Sequence, residues 1–226
     1  YIYDEPIVLN SSSTLRAIAV KEGFNASNEI NEMYEISLDA EIVFDKGKGT
    51  ISNPYIVSTA DQLTLLSKYK SSYFKQDCDI ELPNESWNPV GDESEPFKGS
   101  YDGCGFKIKG LRINSPTEDY VGLFGYTQKA KLKNIVLTDI QIEGRDYVGA
   151  LAGYSAESEV SNIAVDGDVS AQNNVGGIIG QVYTPTKIEK CNYSGTITGN
   201  ENVGGIVGYY QTYYYFVTGS YTGDGS

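Results

Sequence analysis

A Val-Gly phrase returns four times in this chain. It reads YVGLFGY from Tyr120, YVGALAGY from Tyr147, NVGGIIGQ from Asn174 and NVGGIVGY from Asn202, which sets Val121, Val148, Val175 and Val203 at spacings of 27, 27 and 28 residues. Recurrence at one period is the mark of a repeat array, in which a unit too short to bury its own apolar face stacks on its neighbours. Each unit carries two further apolar segments. The first runs through Leu132, Ile135 and Leu137, then Val160, Ile163 and Val165, then Ile188; the second runs through Ile140 and Ile142, then Val169, then Ile197. Gly, Asn and Asp part these segments, so the pattern predicts three short strands per repeat.

Few repeat folds have this period. LKNIVLTDIQIEG satisfies only part of the leucine-rich pattern, and the next two repeats lose it. Propeller blades need about 40 residues and four strands. A parallel β-helix fits: each repeat makes one coil, like positions stack at about 4.8 Å, valines fill the interior and glycines permit tight corners. The coil is expected to be right-handed, by analogy with parallel crossovers. Composition agrees with an all-β chain, since its 25 Gly and 19 Tyr are turn and strand formers. One helix is expected, in STADQLTLLSKY from about Thr59 to Tyr69. There Thr59 and Gln62 form a capping box, Leu63, Leu65 and Leu66 make an apolar stripe, and the helix caps the first coil against edge-to-edge association.

The phrases YVGLFGY…LKNIVL, YVGALAGY…VSNIAVDGDV and NVGGIIG…GTITGNENVGGIVGY resemble the GLUG repeat family. That family occurs in large bacterial surface proteins, including segments outside the catalytic domain of IgA-specific metalloendopeptidases. NPYIVSTADQL, YFKQDCDIEL, WNPVG and PFKGSYDGCGFKIKGLRI resemble what leads into such repeats, so the resemblance runs from about Gly49 to the end. Cys104 departs from it, standing where the family's turn has a polar residue, and the Tyr-rich YYQTYYYFVTGSYTG fits poorly. Residues 1–40 differ in character. EPIVLNSSSTLRAIAVKEGFNASNEINEMYEISL alternates in strand fashion, with Leu15, Ala17 and Ala19 opposite Arg16, Ile18 and Val20. It resembles the closing strands of the small Ig-like β-sandwich at the C-terminus of chitobiases and β-hexosaminidases. The expected organisation is therefore an incomplete sandwich spacer over 1–40, a linker and capping helix over 41–70, and the β-helix over 71–226.

Charge and residue chemistry narrow the function. Seventeen basic against thirty acidic residues give a net charge of -13, which repels nucleic acid and anionic lipid. No stretch approaches the length of a transmembrane helix and no signal pattern opens the chain, which reads as a mature or truncated fragment. Three cysteines, Cys78, Cys104 and Cys191, lie far apart, and the absence of histidine leaves no zinc set and no histidine-based nucleophile or peptidase. No cofactor or metal is expected. Carboxylate pairs remain, because glycoside hydrolysis needs only these; Asp77, Asp79, Glu81, Asp92, Glu93, Glu95 and Asp102 are the candidates. Strand alternation accounts for the first three as an outward polar face.

Tyrosine is the remaining signal. Tyr126, Tyr154, Gln181 and Tyr209 share one repeat position, and Tyr120, Tyr147, Asn174 and Asn202 share another. Facing outward they form ladders that suit sugar stacking or protein hot spots; facing inward they brace the coils. The expectation is a monomeric, non-enzymatic, extracellular segment of a bacterial cell-surface adhesin, binding a host or bacterial surface protein or glycan. Its alternatives are a carbohydrate-binding module and a polysaccharide-degrading β-helix enzyme.

Overall fold

The computed structural model describes residues 13–34, 43–183, 185–211 and 217–222. Positions 212–216, inside the Tyr-rich stretch, lie outside the described residues, as do 1–12 and 35–42 of the N-terminal segment. The chain divides into two compact units, Tyr1–Glu41 and Ile42–Ser226.

In the first unit β1 (Ser13–Ala17) and β2 (Ile30–Tyr34) pair antiparallel. The expected alternation stops early: the strand ends at Ala17, and Ile18 and Val20 beyond it are exposed. The Ala19 amide instead donates across the connection to the Ser27 hydroxyl, and the Ser27 amide donates to the Ala19 carbonyl, so the backbone is satisfied by a loop rather than by a ladder.

The second unit is a parallel β-solenoid. It opens with β3 (Tyr55–Val57), α1 (Ala60–Thr64) and a 3-10 turn over Leu65–Ser67. Short strands follow: β4 (Tyr73–Gln76), β5 (Ile80–Glu81), β6 (Ser100–Asp102), β7 (Lys107–Lys109) and β8 (Arg112–Asn114). The repeats then begin with β9 (Phe124–Gln128), β10 (Lys131–Glu143) and β11 (Asp146–Gly149). The next coil repeats them as β12 (Ala152–Ala156), β13 (Glu159–Ser170) and β14 (Asn173–Gly176). The one after has β15 (Ile179–Tyr183), β16 (Lys187–Ser194), β17 (Ile197–Thr198) and β18 (Glu201–Gly204), and β19 (Val207–Gln211) and β20 (Val217–Thr222) close the described chain.

Like strands stack into three parallel sheets, one along β3, β4, β6, β10, β13, β16 and β20, one along β9, β12, β15 and β19, and one along β11, β14 and β18. In the first two repeats the two later apolar segments prove to be one long strand, whereas in the third they stay apart as β16 and β17. β10 bends at Asn134 and Asp139, and β13 at Asn162 and Gly167, all with positive φ; the register is kept across the asparagine bend and shifts by one residue between Leu137 and Ile140. At Gly167 and Gly195 φ is +139° and +134°, and a Cβ on Gly195 would lie 1.9 Å from the Gly167 carbonyl oxygen, so this corner admits only glycine.

Register explains the repeated valine. Val121, Val148, Val175 and Val203 pair rung to rung, and the first three are buried. Val203, in the last described rung, is 47 % exposed because no further described strand covers β18. On the long sheet Phe74, Tyr101, Leu132, Val160 and Ile188 form a second buried column. The coils therefore extend back through the segment that carries no Val-Gly phrase.

The helix is shorter than expected, yet its anchors are as read. Thr59 accepts the Gln62 amide at 3.1 Å, and Leu63 and Leu66 are fully buried in the first coil, with Leu65 half-buried. Half of the capping box is rerouted: the Gln62 side-chain oxygen accepts from the Ser58 amide, and its amide group donates to Val43 and Asp45. Gln62 thus ties the helix to the preceding loop. Phe44, stacked on Tyr55 at 4.4 Å and 5.7 Å from Phe74, adds an aromatic plug at the same end.

Candidate functional site

The corner before each Val-Gly pair has left-handed backbone. Tyr120, Tyr147, Asn174 and Asn202 have φ of 60°, 59°, 52° and 54°. Asparagine tolerates this region, whereas a bulky side chain there is an outlier that needs a compensating role. At Asn174 and Asn202 the compensation is an amide ladder, with the Asn202 side-chain NH2 donating to Asn174 at 2.8 Å. At Tyr120 and Tyr147 it is ring stacking, with centroids 5.0 Å apart and planes 11° apart.

The second glycine of the phrase makes this corner possible. A Cβ on Gly153 would stand 2.5 Å from the Tyr120 Cα and 2.6 Å from the Tyr147 carbonyl oxygen, so the strand start must be bare where it crosses the corner. One residue on, Tyr154 pairs in register with Tyr126, and their rings stack at 4.3 Å. Tyr120 meets both edge-on, at 5.6 Å from Tyr126 and 6.0 Å from Tyr154. The two predicted ladders therefore converge: four of the five tyrosines form one half-buried cluster. Tyr209 does not join it. Gln181, 6 % exposed, occupies the rung between, leaving Tyr209 about 10 Å from Tyr154 by strand spacing. Both the inward and the outward expectation hold in part, since the rings brace the coils and present an edge to solvent.

Burial holds the Tyr154, Tyr120 and Tyr126 hydroxyls above the ordinary tyrosine range. Glu93 reinforces this at Tyr120 and Tyr126, while the Tyr154 hydroxyl works against it at Tyr126 by hydrogen bonding to that oxygen. These three hydroxyls therefore keep their protons at physiological pH.

Tyr120 also forms one wall of a groove of about 520 Å³ that the repeat pattern does not announce. Its other aromatic wall is Trp87, the chain's single tryptophan, and Ser86, Asn88, Asp92, Ser115, Glu118 and Asp119 complete the lining. Three of these residues, Trp87, Asp92 and Asp119, are held before any ligand arrives. The Trp87 indole donates to the Leu123 carbonyl at 3.0 Å. Asp92 accepts the Ser94 and Glu95 amides, each at 2.9 Å, and bonds within this turn keep its carboxyl below the usual range. Arg145 donates through Nε to Asp119 at 2.7 Å and through its backbone amide to the Glu118 carbonyl at 2.8 Å, which clamps the loop leading to Tyr120. WNPVG supplies the groove because Val90 bridges to Phe124 and the chain on either side crosses the start of the first full repeat.

Five of the other carboxylates considered are tied to structural partners, while Glu93 bears on Tyr120 and Tyr126 only through its charge. Asp77 accepts from the Ser58 hydroxyl at 2.7 Å, Asp79 from the Lys107 amide at 2.8 Å, and Glu81, Glu95 and Asp102 pair with Lys109, Lys70 and Lys133. Among the described residues no three Cys, Asp or Glu side chains gather as a metal set. Of the cysteines only Cys191 is buried; Cys104 sits at φ 53°, its amide bonded to Asp102, in the turn where a polar residue was expected. No helix among the described residues is long and apolar enough to cross a membrane.

Two relatives match about half of the chain. A protein of Evansella cellulosilytica named as a Gly-rich membrane protein is 36 % identical over 123 residues, 49 % of this chain and 14 % of that protein. Halomucin of Haloquadratum walsbyi is 32 % identical over 123 residues, 47 % of this chain and 1 % of its own length. The chain thus corresponds to a small part of much longer proteins. No family model matches it, and no solved structure matches it.

Proposed function

We propose that this chain is a non-catalytic, carbohydrate-binding segment of a bacterial surface adhesin, and that Trp87 and Tyr120 grip the sugar between them. The observation that carries this reading is the groove: two aromatic walls with Asn, Ser and carboxylate groups along it, of which Trp87, Asp92 and Asp119 are held in advance by hydrogen bonds. Flat apolar faces beside hydroxyl-binding groups suit a sugar ring, and a site ordered before binding loses little conformational entropy. The strained backbone of Tyr120 supports a role for its ring, because asparagine serves the same corner in other coils. The surface assignment draws on the GLUG-like phrases and on the membrane-protein name of one relative.

A hydrolase would need a carboxyl group that keeps its proton at neutral pH. Bonds within its turn hold Asp92 as a carboxylate, which is the opposite environment. This favours binding over cleavage. The test is a panel of immobilised neutral glycans and matrix proteins probed with the purified chain. Retention on one glycan class, with no reducing ends released over time, supports the reading. Retention on proteins alone, or release of reducing ends, overturns it.

A further inference from the structure

The long sheet carries a second depression, which shares no lining residue with the Trp87 groove. Two side-chain ladders cross it in register through β4, β6, β10 and β13. One runs Tyr73, Ser100, Lys131, Glu159 and the other Lys75, Asp102, Lys133, Ser161. Ser100 is a short side chain between a tyrosine and a lysine, so the first ladder dips there. Ile51 and Pro54, from the loop before β3, wall the dip, and the result is a trough of about 350 Å³.

Its chemistry differs from that of the groove. Ile51 is 78 % exposed, and Tyr73 beside it is half-buried, which gives the trough one apolar flank. Two carboxylates line it, and each is already held by a lysine: Asp102 by Lys133 at 3.1 Å and Glu159 by Lys131 at 3.2 Å. Lys75 stands opposite Asp102 in register and has no ion pair among the described residues. Three lysines against two carboxylates leave a surplus of one positive charge, in a chain whose net charge is -13. Solubility does not call for a cation surplus beside exposed apolar surface. That combination matches a ligand with an apolar face and an acidic substituent.

We propose that this trough binds an acidic glycan, a uronate-bearing oligosaccharide whose ring face lies on Tyr73 and Ile51 and whose carboxylate meets Lys75. From Tyr73 to Glu159 the ladder spans three strand spacings, about 14 Å, the length of a short oligosaccharide. The site is separate from the Trp87 groove and does not depend on what that groove binds.

Isothermal titration of the whole chain with trigalacturonate, neutral maltotriose and an oligoglutamate peptide tests the proposal. Trigalacturonate is expected to bind, more weakly as salt rises, and Lys75→Glu is expected to weaken it by about tenfold or more, since an attraction becomes a repulsion. Lys75→Gln, which removes the charge without reversing it, should fall between. Tyr120→Asn should leave this binding unchanged, which separates the trough from the groove. Absence of trigalacturonate binding, equal binding by the Lys75 variants, or equal affinity for oligoglutamate would overturn the assignment; the last would make the trough a surface for acidic peptides.

Discussion

At the scale of single residues, the tyrosines at the Val-Gly corner carry the most information. A left-handed non-glycine residue costs about 1–2 kcal/mol, and asparagine relieves part of this. A stacked ring pair returns about 0.5–1.5 kcal/mol beyond the area it buries. The terms oppose one another at Tyr120, so Tyr120→Asn is expected to shift stability by no more than about 1 kcal/mol in denaturant unfolding. Alkaline titration reads the same rings. Tyr154, Tyr120, Tyr126 and the fully buried Tyr101, whose hydroxyl donates to Gln76 at 3.0 Å, all have raised pKa values, with burial the leading cause. Their stabilising contribution is complete below the unfolded tyrosine value of about 10 and is lost as pH rises above it, because the unfolded chain ionises first. Phenolate absorbance from these four rings should lag behind that of free tyrosine, and that of Tyr101 should appear only with unfolding. A single stage near pH 10 with the fold intact would contradict the burial.

Elements separate what the sequence announces from what it withholds. The valine column was legible because one residue type recurs at a fixed interval on an inward face. Val175→Ala should therefore cost about 1–3 kcal/mol through lost burial and a cavity, and Val203→Ala markedly less, as Val203 is half in solvent. The helix anchors were legible from their own spacing. Replacing Leu63 and Leu66 by Asp should lower the melting temperature and open the first coil to association; a monomer melting like the parent would remove the capping role. The coils before Tyr120 were legible only through the resemblance that set the β-helix over 71–226 and not through the period, because the interval from Phe74 to Tyr101 is 27 residues but from Tyr101 to Leu132 it is 31, with loops absorbing the difference. The long bent strands were missed for a related reason. Asp139 and Gly167 part the two apolar segments in the sequence, and only stacking shows that the strand continues past them, while Asn134 and Asn162 bend it within the first segment, the Asn162 amide donating to Asn134 at 3.0 Å. As for the site, its tyrosines were visible as equivalent positions, yet their merger into one cluster depends on the left-handed corner. The asparagines aligned with Tyr120 and Tyr147 were the available signal for that corner. Trp87 carried none, since it aligns with no repeat.

Over the whole molecule, stacked coils convert a short sequence phrase into an extended rigid surface. Each coil contacts mainly its neighbours, so side chains at equivalent positions are held in rows at strand spacing, and loops that interrupt the period add walls beside those rows. Both depressions arise in this way, one where WNPVG crosses the first repeat and one where the loop carrying Ile51 and Pro54 meets the long sheet. The fold thereby supplies binding surface without any catalytic group having to be placed. The central claim is that the Trp87–Tyr120 groove holds a sugar. Its most direct test is titration of the best glycan from the panel into the parent chain and into Tyr120→Asn, with thermal melts run alongside. The account predicts saturable binding by the parent and affinity lowered by about tenfold in the variant at a nearly unchanged melting temperature. Equal affinity in the two proteins, or no saturable glycan binding by the parent, would contradict it.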